Sequence, residues 1–338
     1  MSSLQKIDHP AAWRGEELAK SSAWTMQLRD EEIDELLMAA EGIDFSETTP
    51  IDQDGPLPQL PRLGERLRQI QHDLEHASGV ARIRGFPAES VPPGLAKRAM
   101  WCISRHVGTP VSQSAKGERI FSVQDAGFAS NDSRARGPNT SKRLSFHTDR
   151  CDVIAFLCYR QAKSGGDNDV VSSMTIYNEM LAERPDLVAT LLEPYLYQRH
   201  NVDTGNELPY VEQPVFSFFE GHFAANLLRV LIERAYAMPE TPDMSPMQRE
   251  ALDVLEATAE RPELRLTFRQ NPGDILFLNN FVTLHRRTEF VDFDEAERRR
   301  HLLRVWLSMP NSRPLDPRFA GNYGVTAAGA IRGGMKRR

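Results

Sequence analysis

Residues 271–285 read NPGDILFLNNFVTLH, and this stretch decides the predicted fold. Its first four residues, Asn271 to Asp274, are a strong turn signal because Pro and Gly interrupt regular structure. The apolar run 275–278 has the composition of a short buried strand. His285 follows that strand after a short connection. We therefore expect this histidine at the mouth of a barrel built from such strands.

Similar apolar runs, bounded by turn residues, recur through the second half of the chain. They predict strands at 153–159, 170–174, 194–199, 215–219, 264–268 and 302–309, with earlier strands at 80–86 and 120–123. Apolar residues at helical spacing predict helices at 30–42, 63–76, 94–107, 224–237 and 246–259. The strands do not alternate regularly with helices, so a doubly wound parallel sheet is disfavoured. The pattern is typical of a β-rich α+β fold with a sandwich or jelly-roll core and flanking helices.

The composition excludes several classes of protein. The chain has 338 residues, of which 40% are hydrophobic and 26% are charged, which is typical of a globular protein with a sizeable core. Its net charge of -6 argues against a nucleic-acid partner, and no apolar run is long enough for a membrane span. The three cysteines, Cys102, Cys151 and Cys158, form no CxxC pair. We therefore expect no disulfides, no thiolate zinc site and a cytoplasmic location.

The sequence His147-Thr148-Asp149 places an imidazole and a carboxylate two residues apart. In an extended backbone, residues i and i+2 project from the same face, about 7 Å apart at their Cα atoms. Both side chains could then reach one metal ion. A hydrogen-bonded surface pair would have the same spacing, and this alternative stays open from the motif alone.

His285 could supply a third ligand to the same ion. Two histidines and one carboxylate form the facial triad that binds Fe(II) and leaves three positions for a chelating cosubstrate and dioxygen. Taken alone, His285 could equally cap a turn.

The stretch RHLLRVWLSM at 300–309 places two arginines on one face of a predicted strand. Arg300 and Arg304 share that face with Leu302, Trp306 and Ser308, and the opposite face is almost wholly apolar. Two guanidinium groups are costly to bury without anions. Because a guanidinium matches a carboxylate bidentately, this face indicates an organic-acid site. Ion pairs with nearby acids are the alternative, and the candidates are Asp292, Asp294 and Glu295.

Together these motifs resemble those of the taurine dioxygenase / 2,4-dichlorophenoxyacetate dioxygenase family, to which clavaminate synthase is related. The resemblance rests on HTD at 147–149, GG at 165–166, PGDILFLNN at 272–280, His285 and RRHLLRVWL at 299–307, in the same order and spacing. It covers about residues 80–310. It implies a double-stranded β-helix (jelly-roll) core with flanking helices.

The resemblance also implies roles for individual residues. His147, Asp149 and His285 correspond to the iron ligands. Arg300 corresponds to the arginine that binds the distal carboxylate of 2-oxoglutarate, and Arg304 to an arginine that faces the substrate. Asn168 occupies a position where relatives use threonine or serine to hold 2-oxoglutarate, which is a departure from the pattern. A second departure is Arg286, where many relatives have glycine.

The activity implied is that of an Fe(II)- and 2-oxoglutarate-dependent dioxygenase, which uses O2 to hydroxylate a small anionic substrate with release of succinate and CO2. Desaturation or cyclisation on the same fold, or a non-catalytic jelly-roll binding or sensor protein, are the alternatives. The intact ligand set and the two arginines argue against a non-catalytic protein. The substrate stays open, because residues specific for taurine have no clear counterparts. Relatives also suggest a homo-oligomer.

Three regions are expected along the chain. Residues 1–78 form a helical region and connector that packs on the core. Residues 79–312 form the jelly-roll dioxygenase domain with helical insertions, and residues 313–338 form a C-terminal tail. The segment 112–142, rich in Gly, Ser and Asn, is predicted to be a mobile lid over the iron site.

Overall fold

The computed structural model describes residues 4–44, 55–114, 116–127, 139–199 and 207–335. The helices are α1 (Gly15–Lys20), α2 (Asp30–Glu41), α3 (Leu63–His76), α4 (Pro93–Val107), α5 (Ser173–Glu183), α6 (Pro185–Leu191), α7 (Arg229–Tyr236), α8 (Pro246–Ala259) and α9 (Ala320–Tyr323), with 3₁₀ turns at Ala296–Arg298 and Pro317–Phe319. The strands are β1 (Thr25–Gln27), β2 (Val80–Arg84), β3 (Thr109–Val111), β4 (Ile120–Val123), β5 (Val153–Arg160), β6 (Ser164–Gly165), β7 (Asn168–Ser172), β8 (Pro194–Gln198), β9 (Tyr210–Pro214), β10 (Phe216–Phe219), β11 (His222–Ala225), β12 (Arg265–Phe268), β13 (Ile275–Asn279), β14 (Thr283–Arg287), β15 (Phe290–Val291) and β16 (His301–Ser308).

The larger sheet has seven strands in the order β1-β2-β13-β5-β16-β3, and β4 also pairs with β16. Its neighbours are antiparallel except for β1 and β2. Every residue of β13 and β16 is buried, which explains why both strands are nearly continuous apolar runs in the sequence.

Helices cover the outer face of this sheet. Alternate residues of a strand point to opposite faces, and Ala155, Phe277 and Val305 pack outward in one apolar cluster with α2, α3 and α4. Leu67 and Leu74 lie on the buried stripe of α3 and belong to the same cluster. The N-terminal helices are therefore part of the layer that closes the core.

A smaller sheet, with strand order β12-β7-β14, faces the inner side of the larger one. Val170 and Leu266 of the smaller sheet share a cluster with Ile154, Leu276 and Trp306 of the larger sheet. The outer face of the smaller sheet packs against α5, α6, α7 and α8. The space between the two sheets is therefore the place where inward-pointing polar side chains of β14 and β16 meet.

The predicted β-rich α+β class is confirmed, and the strands predicted at 153–159 and 275–278 correspond to β5 and β13. The helix predicted at 224–237 is wrong in its first part. Residues 222–225 form β11, which pairs with β10 across a turn in which Glu220 and Gly221 both have positive φ, and α7 begins only at Arg229. Pairing with β10 overrides the local helical spacing there. Within the described ranges, no helix is both long and apolar enough to cross a membrane.

Residues 128–138, the centre of the predicted lid, lie outside the described residues, as does residue 115. On the described sides of the segment, β4 joins the larger sheet. The amide of Ala126 donates to the carbonyl of Asn139 at 3.1 Å. The lid itself stays a prediction.

The described part of the C-terminal segment is anchored by buried ion pairs. Arg332 Nε donates to Asp152 Oδ1 at 2.7 Å, and both side chains are at most 2% exposed. Arg313 pairs in the same way with Glu75 of α3. The amide of Gly334 donates to the carbonyl of Arg150, so the segment contacts the loop that joins residues 147–149 to β5.

We expect Arg332→Ala to lower the free energy of unfolding by about 3–5 kcal/mol, because it leaves Asp152 as an uncompensated buried carboxylate. Arg184→Ala is the matched control, because the ion-pair partners of Arg184, Asp186 and Glu250, are exposed. This change should lower the free energy of unfolding much less, because solvent screens exposed ion pairs. Urea denaturation measures both values, and equal losses would contradict the anchoring role of Arg332.

Candidate metal centre

The two candidate metal-binding histidines are held side by side by the backbone. His147 and His285 form an isolated antiparallel bridge, in which each amide donates to the carbonyl of the other residue, at 3.0 and 3.1 Å. His285 therefore lies within β14 and points inward, rather than after a strand as the sequence indicated. The residues around His147 extend the smaller sheet by one edge.

Asp149 completes a compact group with these histidines. Its Oδ2 lies 3.4 Å from His285 Nε2 and 3.9 Å from His147 Nε2. The two imidazole rings are 4.5 Å apart at their centres. One potential ligand atom from each residue lies within 4.8 Å of the others. The structure thus brings together three residues that are separated by up to 138 positions in the sequence.

The side chain of Asn280 holds the loop that carries Asp149. Its Oδ1 accepts from the Asp149 amide at 2.9 Å, and its Nδ2 donates to the Cys151 carbonyl at 3.2 Å. The Asn280 amide donates to the carbonyl of Asp152. The second asparagine of the LNN stretch therefore fixes the metal loop, a role that the sequence motif did not reveal.

Burial and neighbouring charges set the protonation of the group. Burial lowers the pKa of His147 to about 4, and the adjacent His285 acts in the same direction. Burial alone would raise the pKa of Asp149, but the contact with His285 and the charge of Arg304 hold that pKa well below its usual value. At neutral pH, Asp149 is charged and His147 is neutral, and these are the states that metal ligands require.

The group fits a divalent transition metal. Asp149 Oδ2 is buried and has no hydrogen-bond partner among the described residues. His147 Nδ1 lies 2.9 Å from the carbonyl of Ser145. Because a carbonyl can only accept, Nδ1 carries the proton and Nε2 is available as a ligand atom. Two imidazoles and one carboxylate, with open positions on the metal, are the donor set that suits Fe(II).

Arg304 lies beside the metal ligands on the inward face of β16. Its Nη1 is 3.8 Å from Asp149 Oδ1, and its Nε donates to Gln113 Oε1 at 2.7 Å. Gln113 is itself fixed, because its Nε2 donates to the carbonyls of Arg119 and Arg304, each at 2.9 Å. Sequence reasoning missed Gln113, which is distant from Arg304 along the chain.

Arg300 lies further along the same face and is 2% exposed. Its Nε and Nη1 have no hydrogen-bond partner within the described part of the chain, and burial lowers its pKa to about 10. Among the described residues, the ion pairs with Asp292, Asp294 or Glu295 that the sequence left open do not form. Asp292 does contact Arg300, but its carboxylate accepts from the backbone amide, at 2.7 Å. The guanidinium group therefore forms no ion pair with any carboxylate of the described residues.

The GG pair makes room for Arg300. Gly165 has φ of +69°, and a Cβ there would lie 2.1 Å from the carbonyl oxygen of Glu289. Gly166 has φ of +75°, and its Cβ would lie 3.2 Å from Arg300 Nε. The turn thus requires residues that tolerate positive φ and brings the backbone close to the guanidinium group.

The two departures from the family pattern have different structural settings. Asn168 begins β7, and its Nδ2 donates to Gln270 Oε1 at 3.2 Å. Arg286 points away from the metal. Its Nε donates to Asp169 Oδ2 at 2.8 Å, and its Nη atoms contact Glu260. Arginine is tolerated next to the distal histidine because Asp169 of β7 and Glu260 at the end of α8 pair with it on the outer face of the smaller sheet.

Residues 44–306 match the family described as "Taurine catabolism dioxygenase TauD, TfdA family". The chain belongs to this family. This TauD/TfdA member is 32% identical to FR-33289 synthase of Streptomyces rubellomurinus over 94% of its own length and 95% of the relative. It is 26% identical to the taurine hydroxylase-like protein SAT17 of Stachybotrys chartarum, over 89% and 79% of the two chains. The predicted enzyme class, a non-haem iron oxygenase that depends on 2-oxoglutarate, is thereby confirmed.

Solved structures show the same fold at lower identity. An asparagine oxygenase in complex with Fe(II), hydroxyasparagine and succinate aligns with a TM-score of 0.61 and 18% identity, over 85% of this chain and 94% of that one. The non-heme iron oxygenase OrfP, in complex with Fe, succinate and a hydroxyarginine, aligns with a TM-score of 0.63 and 16% identity, over 85% and 95%. The TauD/TfdA member therefore shares its architecture with two non-haem iron oxygenases.

We expect the purified protein to bind one Fe(II) per chain and Asp149→Ala to weaken that binding by roughly 100-fold or more. Losing a group that merely orients a metal ligand already costs about 10- to 100-fold. Equilibrium dialysis under air-free conditions measures the affinity, and the far-UV circular dichroism spectrum should be unchanged. His72→Ala, at an exposed histidine, is the control. Undiminished Fe(II) binding by Asp149→Ala would refute the metal assignment.

Proposed function

We propose that His147, Asp149 and His285 bind Fe(II), that Arg300 and Asn168 bind 2-oxoglutarate, and that Arg304 binds an anionic substrate. The proposal includes a double-stranded β-helix, formed by the two facing sheets, as the scaffold. One observation carries it. A largely buried triad of metal-ligand type lies between the sheets. Two buried arginines lie along one side of it, Arg304 within β16 and Arg300 immediately before that strand.

Iron bound with 2-oxoglutarate and O2 would supply oxidation of a substrate C–H bond, coupled to release of succinate and CO2. The protein residues hold and orient the reactants. A triad of this kind would leave coordination positions for a chelating cosubstrate. Arg300 offers Nε and Nη1 to a carboxylate, and these atoms suit it because they are desolvated and have no hydrogen-bond partner in the described part of the chain. The apolar cluster between the two sheets, which includes Val170 and Trp306, would limit the access of bulk water from that side.

Arg304 supports an anionic substrate. It is buried, it lies beside Asp149, and its guanidinium carbon is 5.3 Å from the ring centre of Phe121 and 5.1 Å from that of Trp306. The contacts with these two aromatic rings and the hydrogen bond to Gln113 restrict the orientation of the guanidinium group. One relative is a Uridine-5'-phosphate dioxygenase of Streptomyces, and its name indicates a substrate with a phosphate group. It is 25% identical over 53% of this chain and 65% of its own length. A carboxylate, sulfonate or phosphate group therefore suits this position.

We propose hydroxylation as the outcome. Asp149 retains a carboxylate in the triad, which disfavours halogenation, because a halide needs the position that this carboxylate occupies. A reducing compartment is supported by Cys102, Cys151 and Cys158, which are all buried free thiols. Burial raises the pKa of Cys102 and Cys158 to about 12, so neither is poised as a nucleophile. Assembly into a homo-oligomer stays a prediction.

We expect Arg300→Ala to raise the KM for 2-oxoglutarate roughly 30- to 150-fold, because a charge-assisted bidentate contact contributes about 2–3 kcal/mol. Arg304→Ala should instead raise the KM for the anionic substrate and leave the KM for 2-oxoglutarate nearly unchanged. The substrate is found first, by screening small organic anions for stimulated succinate formation with Fe(II) and ascorbate.

Arg298→Ala is the control for both variants, because Arg298 lies nearby and is exposed. Equal effects of Arg300→Ala and Arg304→Ala on both constants would mean that the two arginines form one anion site. Opposite effects would mean that their assignments are exchanged.

A further inference from the structure

A third arginine, Arg287 of the smaller sheet, points into the space between the two sheets. Arg287 follows His285 by two residues on β14, so both side chains project from the inner face. It is 6% exposed. Its guanidinium carbon lies 4.7 Å from the ring centre of Phe290, and that of Arg300 lies 5.1 Å from the same centre. One phenyl ring therefore contacts both cations.

The register of the smaller sheet places Arg287 beside Asn168. In the antiparallel pairing of β14 with β7, Arg287 is directly opposite Asn168. Residues opposite each other in such a pair have Cβ atoms about 5 Å apart. Asn168 in turn lies two residues after Gly166, where a Cβ atom would be 3.2 Å from Arg300 Nε. Arg287, Asn168 and Arg300 thus lie close together at one end of the space between the sheets, near Phe290.

Asn168 offers limited hydrogen-bonding capacity at this end. Gln270 Nε2 donates to the carbonyls of Phe156 and Asp274, so Gln270 Oε1 must be the acceptor of its own amide. Asn168 Nδ2 is therefore the donor to Gln270 Oε1. One of its two N–H groups is already used, and an anion at this end needs further donors.

Among the carboxylates of the described residues, Asp125 and Asp292 act on the guanidinium groups at this end only through longer-range electrostatic interactions. Among the described residues, no carboxylate lies within 4.0 Å of the guanidinium nitrogens of Arg287 or Arg300. Arg287 Nε donates to the carbonyl of Thr288 at 3.2 Å, and its Nη2 donates to that of Lys142. These bonds fix the guanidinium group and leave Nη1 for another partner. Two desolvated cations without a counterion are costly unless an anion joins them.

We propose that Arg287 is the second guanidinium of the 2-oxoglutarate site and contacts the distal carboxylate together with Arg300. This inference rests on the proposed function, since it assumes that Arg300 binds 2-oxoglutarate. It adds a cation on the strand that carries a metal ligand. The cosubstrate is then held by arginines from two sides, Arg287 of β14 and Arg300 just before β16, and the specificity of the site for a dicarboxylate is increased.

The test compares two 2-oxo acids that differ only in the distal group, namely 2-oxoglutarate and 2-oxopentanoate, in which a methyl group replaces the carboxylate. Each is titrated by isothermal calorimetry into Mn(II)-loaded protein without O2, so that no turnover is needed. Arg287→Gln should weaken 2-oxoglutarate binding roughly tenfold or more and leave 2-oxopentanoate binding unchanged. Arg287→Lys should restore part of the loss, and Arg298→Gln is the exposed control.

The outcomes separate this inference from the proposed function. Equal weakening of both acids by Arg287→Gln, or no weakening of either, would overturn the role of Arg287 and indicate that it only supports the backbone at Lys142. If Arg300→Gln in that case weakens the binding of 2-oxoglutarate more than that of 2-oxopentanoate, the proposed 2-oxoglutarate site stands. If Arg300→Gln weakens both acids equally as well, the assignment of Arg300 fails too.

Discussion

The pair of backbone hydrogen bonds between His147 and His285 is the constraint on which the site depends. It joins the short segment around His147 to β14, and it places the centres of the two imidazole rings 4.5 Å apart without the help of a metal ion. The chain then turns, and Asp149 reaches the same point because Asn280 holds its amide. Sheet register, rather than side-chain flexibility, determines where the ligand atoms lie.

The two faces of β14 show how the protein distributes charge. Arg286 points outward and is neutralised by Asp169 and Glu260. Arg287 points inward and has no carboxylate within ion-pair distance among the described residues. The same contrast holds for the larger sheet, whose outer face is an apolar cluster and whose inner face carries Arg300 and Arg304. The space between the sheets is therefore a positively charged region, although the net charge of the chain is -6. Such a region attracts anions.

Local patterns were sufficient to predict much of this arrangement. The spacing of His147 and Asp149, the later His285, and the alternation along 300–309 all led to residues that lie between the sheets. The helix predicted at 224–237 was wrong only in its first part, because pairing of β11 with β10 outweighs local spacing there. The roles of Gln113, Asn280 and Arg287 depend on partners that are distant in the sequence, such as Arg304, 191 residues from Gln113. No local motif encodes such contacts.

The buried pair of Asp152 and Arg332 has a consequence for biosynthesis. The two residues are 180 positions apart, and the amide of Gly334 also closes onto the carbonyl of Arg150. During translation, the metal loop leaves the ribosome long before the segment that clamps it. His147 and Asp149 thus leave the ribosome before Arg332 can hold their loop through Asp152, and His285 is made 138 positions after His147. The order of synthesis therefore delays assembly of the three-residue group until β14 has been made, and the contact of Arg332 with Asp152 forms later still.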